Sequence, residues 1–120
     1  MEAGALEHLL GGPGGAERVA LLGADGEVLA AAPARAGAVL AAAARAALAV
    51  VDAGSGAALA ERVEVHLARG SLVVVRSGGR CAVATTRPEP VTALLAHDLR
   101  ALLLGAGRRR RRGGRAAARA

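Results

Sequence analysis

The stretch Val19-Ala20-Leu21-Leu22-Gly23-Ala24-Asp25-Gly26-Glu27-Val28-Leu29-Ala30 consists of two short apolar runs joined at Asp-Gly. Glycine has no Cβ and aspartate tolerates the left-handed region, so the pair suits the positive-φ positions of a tight hairpin loop. A β-hairpin with strands near 18–23 and 27–32 is therefore expected close to the N-terminus. Before it, Leu6, Leu9 and Leu10 share one face of a short helix over 3–10, ended by Gly11-Gly12-Pro13-Gly14-Gly15. After it, Pro33 closes the second strand. An Ala-rich helix is predicted from Ala36 to Asp52, with Val39, Leu40, Leu48 and Val51 on its apolar side and Gly54 as its stop.

The second half alternates more cleanly. Arg62-Val63-Glu64-Val65-His66-Leu67 places Val63, Val65 and Leu67 on one face of a strand and Glu64 and His66 on the other. Arg69-Gly70 marks a turn into Ser71-Leu72-Val73-Val74-Val75-Arg76, whose unbroken apolar run is that of an interior strand. Gly78-Gly79 turns into a last strand at Arg80–Thr85. Pro88 and Pro90 then introduce a helix in which Val91, Leu94, Leu95, Asp98, Leu99, Leu102 and Leu103 recur at helical spacing, ending at Gly105-Ala106-Gly107. The order is α-β-β-α-β-β-β-α, an α+β fold with a five-stranded antiparallel sheet and helices packed on it. Residues 1–107 form one domain in this reading, and 108–120 a disordered, low-complexity Arg-rich tail.

Composition sets limits on what the domain can be. Phe, Tyr, Trp, Ile, Asn, Gln and Lys are all absent, and Met occurs only at Met1, a bias that points to a GC-rich bacterial genome. Without aromatics, each of which would bury roughly 150–250 Å², Leu and Val carry the core. A lone protomer is then marginal and a dimer is expected. All 16 basic residues are Arg, and seven of them lie in 108–120, so the formal charge of +6 belongs to the tail. The body is near neutral, which speaks against a dedicated nucleic-acid-binding domain. Cys81 stands alone, which excludes an internal disulfide framework and fits a reducing compartment. No positively charged n-region precedes an apolar run at the N-terminus. The Ala-rich helix, broken by Arg45, is not read as a membrane span, and a cytoplasmic location is expected.

The pattern resembles the roadblock/dynein-light-chain superfamily, including its MglB-like bacterial members. The resemblance covers residues 3–104 and rests on the leading helix, the hairpin VALLGADGEVLAAA, the Ala-rich helix, the meander RVEVHLARGSLVVVRSGGRCAVAT and the final leucine helix. It implies a non-enzymatic homodimer that regulates or scaffolds a Ras-like small GTPase. The dimer contact it implies maps to Val39, Ala43, Ala47, Val63 and Val65.

No motif supplies chemistry. Absence of Lys removes a Walker A or Schiff-base lysine, and the Gly11–Gly15 loop follows a helix and lacks phosphate-loop spacing. His97 and Asp98 are adjacent, so on a helix they point about 100° apart and form no base with its orienting carboxylate. His8, His66 and His97 are dispersed, and no metal ligand set or cofactor site is assigned. Cys81 reads as a buried, inert thiol. The tail residues Arg108, Arg109, Arg110, Arg111, Arg112 and Arg115 support a second reading, an adaptor that binds nucleic acid or an anionic membrane surface without sequence preference. Seven arginines on phosphates would give a log–log salt slope near −6, at about −0.9 per contact. A solvated tail with no partner is the plain alternative.

Overall fold

Alternation along the strands sorts the apolar residues into two cores, one on each face of a single sheet. The computed structural model describes the backbone of residues 2–54, 61–88 and 91–119, and the side chains of 4–54, 61–88 and 91–105. Its elements are α1 (Glu2–Leu9), β1 (Ala16–Leu22), β2 (Val28–Ala32), a 3-10 turn at Ala34–Ala36, α2 (Gly37–Gly54), β3 (Arg62–Leu67), β4 (Gly70–Ser77), β5 (Arg80–Thr86) and α3 (Thr92–Arg119). The order is the α-β-β-α-β-β-β-α expected from the sequence.

The strands form one sheet in the order β2-β1-β5-β4-β3, and every neighbouring pair is antiparallel. Consecutive strands β2 and β3 thus occupy opposite edges, and α2 crosses the sheet between them. On one face Val19, Leu21, Val73, Val75, Ala82 and Ala84 meet Leu6 of α1 and Leu95, Leu99 and Leu103 of α3. On the other, Ala20, Leu22, Val63, Val74, Cys81 and Val83 meet Leu40, Ala41 and Ala44 of α2. The period of two in β1, β4 and β5 decides which residue goes to which core.

Small side chains permit close approach where larger ones would not fit. A Cβ on Gly37 would stand 2.9 Å from a Val28 methyl and 3.2 Å from the Ala31 Cβ, so glycine lets α2 begin hard against β2. Gly70 combines φ +143° with a position where a Cβ would overlap the Thr86 carbonyl oxygen, so only glycine starts β4 there.

Two features differ from the sequence-based expectation. The Asp25-Gly26 loop is wider than a two-residue turn: the Gly23 amide donates to the Glu27 carbonyl at 2.9 Å and the Gly26 amide to the Gly23 carbonyl at 3.0 Å. Gly26 takes positive φ, +81°, and the ladder absorbs the extra length as a register shift at Leu21/Leu22. The tight two-residue loop is instead Gly78-Gly79, both at positive φ between the paired Ser77 and Arg80. The backbone of α3 also continues past Gly105-Ala106-Gly107 to Arg119. A glycine costs about 1 kcal/mol relative to alanine but leaves the hydrogen-bond ladder intact, and the Arg and Ala that follow are strong helix formers. Side chains from Ala106 onward lie outside the described residues.

Candidate functional site

The inward stripe of α2 fixes its outward one. With Gly37, Leu40, Ala41 and Ala44 buried on the sheet, residues Ala38, Val39, Ala42, Ala46, Ala49, Val50 and Ala53 face outward and are exposed. Spacings of three and four residues make this a continuous apolar stripe, with Val39 71% and Val50 76% exposed. Its only charged flank before Asp52 is Arg45. Ala34–Gly54 has the length and mean hydropathy, 1.7, of a helix able to cross a membrane. One face of that segment is committed to the second core.

Beside α2 lies an open edge. β3 pairs only with β4, so its other backbone edge has no partner strand among the described residues. On the α2 side of β3 exposure rises along the strand, from Val63 at 7% through Val65 at 36% to Leu67 at 66%. The structure therefore divides the five residues expected at a dimer contact. Val39 and Val65 are exposed on adjoining surfaces, and Ala43 and Ala47 lie half-buried at the flank of α2. Val63 is in the protomer's own core beneath α2. Val50, Ala42, Ala46 and Ala49 share the exposed stripe with Val39 and are not among those five. Their signal was a helical wheel: once Leu40, Ala44 and Leu48 face in, these face out.

Polar groups on the opposite face of β3 form a chain. Arg62 bonds Glu64, Glu64 Oε2 lies 3.3 Å from His66 Nε2, and His66 Nδ1 lies 2.9 Å from Ser71 Oγ. The Arg62 hydrogen bond, with its charge adding, holds the Glu64 carboxyl below the usual carboxylate range. The composition is that of a Ser-His-acid triad, but the chemistry is not. Ser71 is buried and its backbone amide is spent on Thr86 Oγ1 at 2.8 Å. The amides around it run in a strand hydrogen-bonded on both sides, so no pair of donors converges on an oxyanion. The chain fastens β3, β4 and β5 to one another.

Elsewhere the charged residues brace the fold. Arg76 grips Asp52 through both terminal nitrogens, at 2.8 and 2.7 Å, and ties β4 to the end of α2. That hydrogen-bonded pairing raises the Arg76 pKa above its ordinary value. Arg100 reaches Glu61 at 3.0 Å. Burial pushes the Cys81 thiol up to about 11, which makes it a poor nucleophile. Among the described residues no three of His, Cys, Asp and Glu gather as metal ligands. The side chains of Arg108, Arg109, Arg110, Arg111, Arg112 and Arg115 lie outside the described residues.

Comparison with known proteins places this architecture. No protein-family profile matches the chain, and no curated protein matches it in sequence. Solved structures do match in fold. A Roadblock/LC7 domain from Streptomyces avermitilis superposes with a TM-score of 0.63 at 19% identity, over 86% of this chain and 91% of that one. MglB from Myxococcus xanthus gives 0.62 at 13% identity, over 84% and 87%. Profilin IB from Acanthamoeba castellanii gives 0.59 at 20% identity, over 89% and 99%. With the element order and sheet described above, the chain has a roadblock-like fold.

Proposed function

We propose that the chain is a non-enzymatic, cytoplasmic homodimer that regulates or scaffolds a Ras-like small GTPase. The observation that carries this reading is the uncharged outer face of α2, continuous with the open edge of β3. An exposed apolar helix beside an unprotected strand edge is a poor surface for an isolated protomer. A two-fold axis beside β3 removes both defects together. Two β3 edges pair antiparallel, and the two α2 stripes, small enough for close helix contact, cover each other. Val39, Ala42, Ala46, Val50 and Val65 form the contact, while Val63 supports it from beneath.

The paired sheets and helices give a platform on which a GTPase docks. Regulation follows when that platform binds one nucleotide state better than the other, because a ligand shifts a population only by its differential affinity. No arginine finger is assigned. Arg62 and Arg76 are held by Glu64 and Asp52, which leaves the exposed Arg69 in the β3–β4 turn as a surface contact at most.

The test uses the host's Ras-like GTPases, purified and loaded with GDP or a non-hydrolysable GTP analogue, and the full chain as bait. At least tenfold preference for one state is expected for one of them. Equal retention in both states, or none by any of them, contradicts the proposal. Deleting 108–120 separates the Arg-tailed adaptor: loss of all binding, with DNA or anionic vesicles retained only by the full chain, favours that reading instead.

A further inference from the structure

A cavity of about 750 Å³ opens between α2 and the two loops at one end of the sheet, the β1–β2 loop and the Gly78-Gly79 turn. Leu22, Ala41, Ala44, Leu48 and Cys81 form the apolar part of its wall. Arg45 stands at its mouth. The Arg45 guanidinium reaches across from α2 to the β1–β2 loop, where its Nη2 lies 3.6 Å from the position a Cβ on Gly26 would take. Among the described residues Arg45 has no ion pair or hydrogen bond.

Two of the other charges bordering the cavity are engaged in ion pairs. Arg76 is held by Asp52, and Glu61 by Arg100. Arg80 also lines the cavity, and its Nη1 is buried with no hydrogen-bond partner among the described residues. Asp25 lies on the loop rim of the cavity and is exposed to solvent. The Cys81 thiol is neutral at physiological pH and repels no anion. What remains is a part-apolar chamber of the size that takes small ligands, with the Arg45 guanidinium at its entrance.

The geometry points to a binding site for a small organic anion, its apolar body against Leu22, Ala44 and Leu48 and its charged group on Arg45. A carboxylate or a phosphate monoester fits the guanidinium fork equally well, so the head group is left to experiment. The site lies on the inner flank of α2 and does not depend on the proposed dimer contact, which uses the outer stripe.

Amide NMR of the full-length protein, titrated with octanoate and separately with octyl phosphate, tests it. One or both should produce saturable shifts centred on Gly26, Ala44, Leu48 and Cys81. Arg45→Gln, at an exposed position that leaves the fold intact, should weaken that binding at least tenfold. 1-Octanol and inorganic phosphate, which carry only the body or only the charge, should each bind at least tenfold more weakly. The inference is overturned if neither anion saturates, if shifts centre on Val39, Ala46 and Val50 of the outer stripe, or if Arg45→Gln binds as the unmodified chain does.

Discussion

Two buried groups on β5 give the sharpest tests at the level of single residues. Thr85 Oγ1 is buried and has no hydrogen-bond partner. A buried hydroxyl left without a partner costs about 1–3 kcal/mol. Thr85→Val, which removes the hydroxyl and keeps the branched shape, should stabilise by about 1 kcal/mol and raise Tm by roughly 4 °C or more for a domain of this size. A lower Tm would show that the hydroxyl is in use. Cys81 makes a pH prediction. Its folded pKa of about 11 exceeds the ordinary value of 9.0, so unfolding releases a proton between those limits. Stability is then unaffected below about pH 9 and falls as pH rises toward 11, by at most about 1.4 kcal/mol per unit. Lys and Tyr are absent, so no other side chain titrates in that window. Urea midpoints measured from pH 8 to 11 should fall for the natural chain and stay nearly level for Cys81→Ala.

At the level of elements, α2 is held at both ends by different means. Its start depends on close approach, with Gly37 against Val28 and Ala31. Its end depends on charge, since Asp52 lies unfavourably near a helix C-terminus and Arg76 offsets it. A double-mutant cycle with Asp52→Asn and Arg76→Gln should return a coupling of about 1 kcal/mol, as the pair is partly exposed. Coupling near zero would mean that β4 does not tether the helix. The same helix shows how far the sequence could be read. Strands β3, β4 and β5 were legible because Val, Leu and charged residues alternate with a period of two, and Gly78-Gly79 marks a turn by itself. The faces of α2 were only half legible, because alanine suits either side of a helix. Val63, expected at an interface, lies buried in the core beneath α2, and the outward position of Val50 is not evident from an alanine-rich pattern. The Asp25-Gly26 loop was located correctly, but its width depends on Gly23–Glu27 hydrogen bonding that no dipeptide signal reports. The cavity at Arg45 was illegible for a similar reason: its walls come from β1, α2 and β5, brought together only by the crossover of α2.

For the whole molecule, the central issue is what covers the apolar stripe of α2 and the edge of β3. A domain without aromatics has a thin core, and leaving Val39, Val50, Val65 and Leu67 in water wastes apolar surface that a second protomer can bury. Pairing two protomers across β3 would extend each five-stranded sheet into one continuous sheet and place both α2 helices on the same side. Every functional statement about a docking platform rests on that assembly. The direct measurement is the mass in solution by size-exclusion chromatography with light scattering, at micromolar concentration, for the natural chain and for Val50→Glu. Twice the chain mass of 11.8 kDa is expected for the natural protein. A single chain mass, with an unchanged circular dichroism spectrum, is expected for the variant. A natural chain that elutes as a monomer, or a Val50→Glu variant that remains a dimer, would contradict that assembly.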